Sequence, residues 1–269
     1  SWELLHIPVG VEFDVTKDFV KYVENAYELL DQPGEWYLNT AEDKIYYIPK
    51  DGQDMSKADA VLGKLENLFT FDGELDKVVE NITLTGLTFS HTTWLQANNP
   101  EGLCVIQSNV YKNARMNSGT GYTNSLWMDP TSAIFGTYVN NITISRNIFI
   151  HLGNGGVHLE KATKNSSITN NYITDCASSG ITLGGFHDED HAPIRRNGAN
   201  YDEGIKKLSE NNTITDNYIT NIGTEYKSAC GILVGYVART KVEYNTLTNL
   251  PYTGISFGWG WGYNKQELN

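Results

Sequence analysis

Charged residues and cysteines are scarce in this chain of 269 residues, and each scarcity argues against a class of protein. Charged side chains make up only 19% of the sequence, while Gly, Asn, Thr and Tyr are plentiful, which favours strands and turns over long salt-bridged helices. Cys104, Cys176 and Cys230 are widely spaced without a CxxC pair, so neither a disulfide framework nor a zinc knuckle is indicated. We expect buried thiols.

The chain also lacks an excess of positive charge and a long apolar run. Its 32 acidic and 20 basic residues give a net charge of −12, whereas phosphate binding needs a concentrated positive field. A neutral sugar ligand is compatible with this charge, and so is a simple role in solubility. No apolar stretch of about 20 residues occurs, and Ser1-Trp2-Glu3 does not begin a signal peptide. We therefore predict no nucleic-acid partner and no membrane span, in a soluble chain processed or excised from a longer one.

Residues 1–80 are predicted to form a small α+β segment packed on the rest of the chain. Apolar residues recur at helical spacing from Asp18 to Leu30, and Asp31-Gln-Pro-Gly34 ends that pattern. Glu35–Leu38 and Lys44–Ile48 flank a polar turn, which predicts a β-hairpin.

Residues 81–269 repeat a short motif, in which an apolar residue, two polar residues and an Asn precede a second strand. The intervals between these asparagines are 24, 46 and 28 residues, so the middle interval carries an insertion, which we place at 187–209. Such units bury their apolar faces only by stacking. The predicted fold is all-β, a right-handed parallel β-helix. The four copies are Ile144–Asn147, Ile168–Asn171, Ile214–Asn217 and Val242–Asn245.

The repeated asparagines are expected to be structural. An Asn side chain tolerates left-handed backbone and can hydrogen-bond to the equivalent Asn of the neighbouring coil. A ladder of asparagines along the β-helix is the predicted result.

A third strand of each coil begins with Gly and then alternates. If Val157 and Leu159 face the core, period two directs the residues between and after them outward. The same holds for the equivalent strands beginning at Gly180, Gly231 and Gly254. One outward column is His158, Thr182, Leu233 and Ser256, and its neighbour is Glu160, Gly184, Gly235 and Gly258.

The three glycines beside Glu160 have two interpretations. They leave a trough in which a ligand can lie, or they relieve crowding at the ends of strands. Nearby aromatic rings, Tyr236, Trp259 and Trp261, are expected to hold the apolar faces of sugar rings. The alternative for these rings is a structural role in capping the edge of the β-helix.

The run from His187 to His191 opens the insertion and contains Asp188 and Asp190. A metal site is one interpretation, but adjacent acidic residues are a weak metal signal. Acid/base chemistry is the second, because glycosidic cleavage needs two carboxyl groups, and Glu160, Asp188 and Asp190 can converge across neighbouring coils. Crowded carboxylates would raise one pKa, as a general acid requires. A solvated acidic loop is the third.

Several segments resemble a group of bacterial right-handed β-helix glycoside hydrolases related to lacto-N-biosidases and to β-helix fucosidases and xylanases. The resemblance covers nearly the whole chain, and its Pro-Gly-Glu-Trp-Tyr and Gly-Trp-Gly-Trp elements are specific for the group but not for a substrate. The matching segments are Asn25–Tyr37, Lys44–Pro49, Asn81–Phe89, the His191 region with Pro193, Gly223–Tyr226 and Pro251–Trp261.

The resemblance implies an extracellular or cell-surface bacterial enzyme that cleaves carbohydrate, for which we expect no cofactor, with calcium as the alternative. The outward column and the acidic run make Glu160, Asp188 and Asp190 its candidate acid/base or sugar-binding carboxylates. Related enzymes carry further coils, one with an Asp-x-Gly-Gly strand, and residues 262–269 contain no such strand. We therefore expect this chain to be part of a longer or split enzyme. The residues expected to orient or bind the sugar are His158, His187, His191, Glu225, Tyr236, Trp259 and Trp261.

Two other functions remain open at this point. The first is a non-catalytic carbohydrate-binding or adhesion module on the same scaffold. The second is a polysaccharide lyase, which needs a basic residue and often calcium, and for which Arg195 and Arg196 are the available bases. No metal-ligand residues are assigned for the hydrolase.

Overall fold

The computed structural model of the chain describes residues 26–98, 103–105, 108, 110–112, 115–117, 121–123, 126–128, 130–185 and 206–258. Between residues 97 and 128, Ser108 is the one residue whose side chain is described. The chain divides into two compact units, one of residues 11–62 and one of residues 63–269 together with 1–10. In the described residues no helix is long and apolar enough to cross a membrane.

The smaller unit contains the predicted β-hairpin. Its strands are β1 (Trp36–Asn39) and β2 (Lys44–Tyr47), which pair antiparallel. Two 3₁₀ helices, Tyr27–Leu29 and Met55–Lys57, flank the hairpin in sequence. The Tyr27 ring packs edge-on against those of Tyr37 and Tyr46, with centroids 5.6 and 5.2 Å apart. The hairpin prediction is confirmed.

The helix predicted from Asp18 to Leu30 is not seen in its described part. Residues 26–30 form only the 3₁₀ turn Tyr27–Leu29, and residues 18–25 lie outside the described range. A carboxylate closes the turn that follows, because Glu35 Oε2 accepts hydrogen bonds from the backbone N–H groups of Asp31 and Gln32, both at 2.9 Å. These two bonds lower the pKa of Glu35.

The larger unit is a parallel β-helix built from three sheets. Each coil contributes one strand to each sheet in the order I, II, III, and all strands within a sheet are parallel. Sheet I comprises β3 (Phe69–Asp72), β11 (Ser132–Thr137), β14 (Gly155–Leu159), β17 (Ile181–Leu183), β21 (Ile232–Val234) and β25 (Ile255–Phe257). Sheet II comprises β4 (Val79–Thr85), β12 (Val139–Ser145), β15 (Ser167–Thr169), β19 (Thr213–Thr215) and β23 (Lys241–Glu243). Sheet III comprises β5 (Thr88–Thr92), β13 (Ile148–Leu152), β16 (Tyr172–Cys176), β20 (Tyr218–Ile222) and β24 (Thr246–Thr248).

The β-helix begins before the predicted boundary at residue 80. Strand β3 already pairs with β11 in sheet I. The predicted boundary included β5 and most of β4 and missed only β3 of the first coil. The first coil lacks the full repeat motif, because Leu87 occupies the position that Asn147 holds one coil later, as the pairing of Thr88 with Ile148 shows.

Two long connections interrupt the coils. The first excursion, residues 93–131 between β5 and β11, was not predicted from the sequence. The second excursion, residues 184–208 between β17 and β18, contains most of the predicted insertion 187–209, and residues 186–205 of it are not described. The first excursion holds a 3₁₀ helix, Leu95–Asn98, and β6 (Leu103–Val105), β7 (Val110–Lys112), β8 (Arg115–Asn117), β9 (Gly121–Thr123) and β10 (Leu126–Met128). The remaining strands, β18 (Ser209–Glu210) and β22 (Val237–Ala238), pair with each other.

Apolar columns fill the space between the three sheets. Val157, Ile181 and Ile232 lie in register on sheet I and are fully buried, as the alternation predicted. On the last described strand, Ile255 is in register with Ile232 and Phe257 with Val234. They are 44% and 61% exposed, because no described strand pairs with the far side of β25. Each fully buried aliphatic side chain contributes about 1.5–3 kcal/mol to folding.

The predicted asparagine ladder runs along the turn between sheets II and III. Three side-chain hydrogen bonds of 2.9–3.1 Å link it, because Nδ2 of Asn147, Asn171 and Asn217 each donates to Oδ1 of the next Asn, and the last acceptor is Asn245. The left-handed residue is the one before each Asn, namely Arg146, Asn170, Asp216 and Tyr244. The ladder asparagines therefore serve as hydrogen-bonding side chains, and their neighbours make the turn.

Candidate functional site

The outer face of sheet I carries the outward column that contains His158. Pairing of the strands puts Phe135, His158, Thr182, Leu233 and Ser256 in register along it. His158 is only 4% exposed, and Thr182 and Leu233 are also buried. The Phe135 ring meets the His158 ring edge-on, with centroids 5.4 Å apart. This column points away from the core and is nevertheless covered.

The first excursion reaches this column near its far end. Ser108 Oγ donates a hydrogen bond to Ser256 Oγ at 3.3 Å, and the Cys230 thiol donates to Ser108 Oγ at 3.3 Å. With strands about 4.8 Å apart, the five steps from β3 to β25 amount to about 24 Å. Ser108 therefore places one point of the first excursion against the outer column of sheet I at its last described strand.

Glu160 directly follows β14 and is 8% exposed. Backbone hydrogen bonds stack the residues that end successive strands of sheet I, since Gly184 N–H donates to Leu159 O at 2.8 Å and Gly235 N–H donates to Leu183 O at 3.0 Å. His158 lies within β14, and Glu160 lies just beyond its last residue, two positions later. The structure thus buries both an imidazole on the outer face of sheet I and a carboxyl group at the end of the same strand.

The glycine at position 184 is explained by crowding. Its φ is +93°, and a Cβ there would lie 1.8 Å from Gly235 O. Gly258, in register with it, also has a left-handed φ of +89°, but a Cβ there would meet nothing within 4 Å. Of the two interpretations of the glycine column, crowding at the strand end is therefore the correct one at Gly184, whereas Gly258 has open space beside it.

Glu225 and Tyr236 lie beyond opposite ends of strand β21 in sheet I. Glu225 is exposed on the turn from sheet III to sheet I. Tyr236 is buried beside Leu208 and Ala238, where the chain passes from sheet I to sheet II. The structure therefore places these two predicted sugar-binding residues on either side of the His158 column, and it does not bring them together.

A buried aromatic pair next to Glu225 was missed by the sequence analysis. Trp94, two residues after β5, packs edge-on against Tyr226 with ring centroids 5.0 Å apart, and both side chains are buried. Burial, with a smaller contribution from the charge of Glu225, raises the pKa of Tyr226 above its usual value. This contact links the first excursion to the fourth coil, at the turn from sheet III to sheet I.

A groove of about 460 Å³ lies at the opposite end of the sheet I strands, at the turn from sheet I to sheet II. Tyr138, which follows β11, is one of its lining residues. Charged side chains of both signs also line it, among them Asp76, Glu80, Lys164 and Lys206. The groove therefore begins close to the strand ends where Glu160 is found.

The other predicted site residues lie outside the described part of the chain. In the described residues, no group of three His, Cys, Asp or Glu side chains has the arrangement to hold a metal ion. The undescribed residues are His187, Asp188, Asp190, His191, Trp259 and Trp261.

The chain belongs to the right-handed β-helix family, since the profile described as right handed beta helix region matches residues 77–265. The predicted fold is therefore confirmed. A second profile, described as GH141 insertion domain, matches residues 13–50.

A solved structure described as "Glycoside hydrolase" aligns with a TM-score of 0.71 and 28% sequence identity over 88% of this chain. The alignment covers 41% of that protein, so this chain spans about two fifths of its length. No curated protein sequence matches. These findings confirm the resemblance to β-helix glycoside hydrolases.

Proposed function

We propose that this protein is a glycoside hydrolase that binds an oligosaccharide or complex glycan along the outer face of sheet I. The observation that carries the proposal is the burial of both His158 and Glu160, two residues apart at the end of β14. A carboxyl group is rarely buried without a partner or a function. The likeness to a solved glycoside hydrolase supports this reaction class.

The chemistry needs a second carboxyl group on the other side of the glycosidic oxygen. Separations of about 5–10 Å between the two groups serve retaining and inverting hydrolysis. The second excursion leaves the sheet at Gly184, in register with Glu160, and Asp188 follows four residues later. Four residues of extended chain reach at most about 14 Å. This reach supports the proposal that Asp188 or Asp190 acts with Glu160.

The proposed roles of the remaining residues follow from their positions in the sequence and the fold. His158 orients the acid or the leaving group, and His187 and His191 do so from the second excursion. Trp259 and Trp261 follow Gly258, which has open space beside it, and they form the sugar platform. Glu225 and Tyr236 bind sugar at the two edges of the sheet.

Separate Asp188→Asn and Asp190→Asn variants test the proposal on a broad panel of glycans. We expect product release by the wild-type protein and loss of turnover with retained glycan binding in at least one variant. Unchanged turnover in both variants would move the catalytic pair elsewhere.

A wild-type protein that binds glycans without releasing product would indicate the non-catalytic binding module instead. Activity abolished by EDTA would indicate the lyase or a metal site. A protein that neither binds nor cleaves any member of the panel would contradict the carbohydrate function itself.

A further inference from the structure

A second column of polar side chains lies at the far end of the sheet III strands, outside the site described above. Strand pairing aligns five residues there, one from each strand, either just before or just after its last residue. All five have left-handed φ values of 50–61°. These residues are His91, His151, Asp175, Asn221 and Asn249. Sequence reasoning missed this column, although each member directly precedes the residue that ends its strand or follows it.

Two imidazoles and a carboxylate meet in the first three positions of this column. The rings of His91 and His151 have centroids 5.3 Å apart at an interplanar angle of 42°. His151 Nδ1 lies 2.6 Å from Asp175 Oδ2, and both of these side chains are 52% exposed. The cluster is therefore open to solvent on a rigid, paired stretch of backbone.

The carboxylate of Asp175 fixes which nitrogen of His151 is available. An ionised carboxylate only accepts hydrogen bonds, so Nδ1 of a neutral His151 carries the proton. Its Nε2 then carries the free lone pair. Histidines that bind metals typically donate their other N–H to a carboxylate in this way. Among the described residues, the His91 ring nitrogens have no hydrogen-bond partner.

We propose that His91 and His151 form a surface site for one divalent transition-metal ion, with Asp175 orienting His151. An ion held at about 2.0–2.1 Å from each nitrogen spans a gap of up to about 4 Å. The ring edges of two imidazoles with centroids 5.3 Å apart can close to that distance. Asp175 is an orienting residue here, which agrees with the absence of a three-ligand cluster among the described residues.

The expected ion follows from the ligand type. Imidazole nitrogens suit copper, zinc and nickel, and divalent copper binds a given nitrogen site most tightly of the first-row ions. Water completes the coordination of the ion. The site does not depend on the proposed hydrolase function.

Isothermal titration of the intact protein with Cu²⁺, and separately with Zn²⁺, tests the site. His91→Asn and His151→Asn are suitable variants because Asn tolerates left-handed backbone and naturally occupies this column at Asn221 and Asn249. We expect each variant to lose one bound Cu²⁺. Asp175→Asn should weaken that binding by about 10–100-fold. Asn221→Ala, in the same column, is the matched control and should bind as the wild type does.

The second excursion contains another histidine pair, so the binding must be assigned to one of the two. A His187→Ala/His191→Ala double variant should retain the bound Cu²⁺, and electron paramagnetic resonance of the complex should show two nitrogen ligands. Unchanged binding in both His91→Asn and His151→Asn would overturn the proposal. Loss in only one of them would overturn it as well, because the site needs both ligands.

Discussion

Replacing Asn171 by Ala tests the asparagine ladder at its centre. The Asn171 side chain makes four hydrogen bonds. Its Oδ1 accepts from Asn147 N–H at 3.0 Å and from Asn147 Nδ2 at 3.1 Å. Its Nδ2 donates to Ile144 O and to Asn217 Oδ1, both at 2.9 Å. Asn171 is buried, so water cannot replace these partners without a rearrangement of the coils.

Four hydrogen bonds at about 0.5–1.5 kcal/mol each give an expected loss of about 2–6 kcal/mol on Asn171→Ala. The free energy of unfolding of an ordinary domain is about 5–15 kcal/mol, so the variant should retain only a small part of its stability. Urea unfolding followed by far-ultraviolet circular dichroism measures the loss.

The control is Asn170→Gly, which keeps the left-handed turn and removes only an exposed side chain. It should change the free energy of unfolding by less than about 1 kcal/mol. Equal effects of the two substitutions would refute the role of the ladder in holding the coils together.

Three further predictions concern the core, the strand ends and a buried thiol. Ile181→Ala should cost about 2–5 kcal/mol in urea unfolding, and Ile255→Ala, in register but 44% exposed, clearly less; equal costs would argue against the stacked core. Gly184→Ala should destabilise far more than Gly258→Ala, because both positions have left-handed φ but only Gly184 has no room for a Cβ. Burial, with a smaller contribution from Asp175, raises the pKa of the Cys176 thiol, so the folded state keeps a proton that the unfolded state loses above about pH 8.5. The free energy of unfolding should therefore fall above that pH by up to about 1.4 kcal/mol per pH unit. Cys176→Ala should remove this contribution, and an unchanged dependence of the free energy on pH would contradict the burial of the thiol.

The regular part of the fold was predictable because it rests on short-range patterns. The spacing of the ladder asparagines and the alternation around Val157 and Ile181 follow directly from the sequence. Stacked parallel strands then bring like residues together, as the hydrogen bond between Asn171 and Asn217 shows. The buried state of Cys176 and Cys230 was predicted for the same reason and is confirmed.

The cover over sheet I was not predictable, because it depends on contacts between residues far apart in sequence. Ser108 and Ser256 are 148 residues apart and share a hydrogen bond. No periodicity in either segment indicates that Ser108 meets the outer face of sheet I. The sequence therefore predicted that His158 and Thr182 point outward, but it did not predict their burial.

The candidate site was predictable in part. Alternation along β14 predicted His158 on the outer face, and its register with Phe135 and Thr182 agrees. The placement of Glu160 on that face stays a prediction, because Glu160 lies beyond the end of β14. The glycines next to Glu160 suggested a trough, but Gly184 is required by a left-handed strand end against Gly235. The sequence pattern does not separate these causes, since both call for the smallest residue.

Glu160 is the carboxyl group that we propose for glycoside hydrolysis at sheet I. The most direct measurement is product release by Glu160→Gln on the best substrate of a glycan panel, with glycan binding measured in parallel. The matched control is Glu243→Gln, an exposed carboxylate on sheet II. We expect Glu160→Gln to lower turnover by about 10²–10⁴-fold while it still binds the glycan, and Glu243→Gln to behave as the wild type does. Full turnover by a folded Glu160→Gln protein would refute the catalytic role of Glu160.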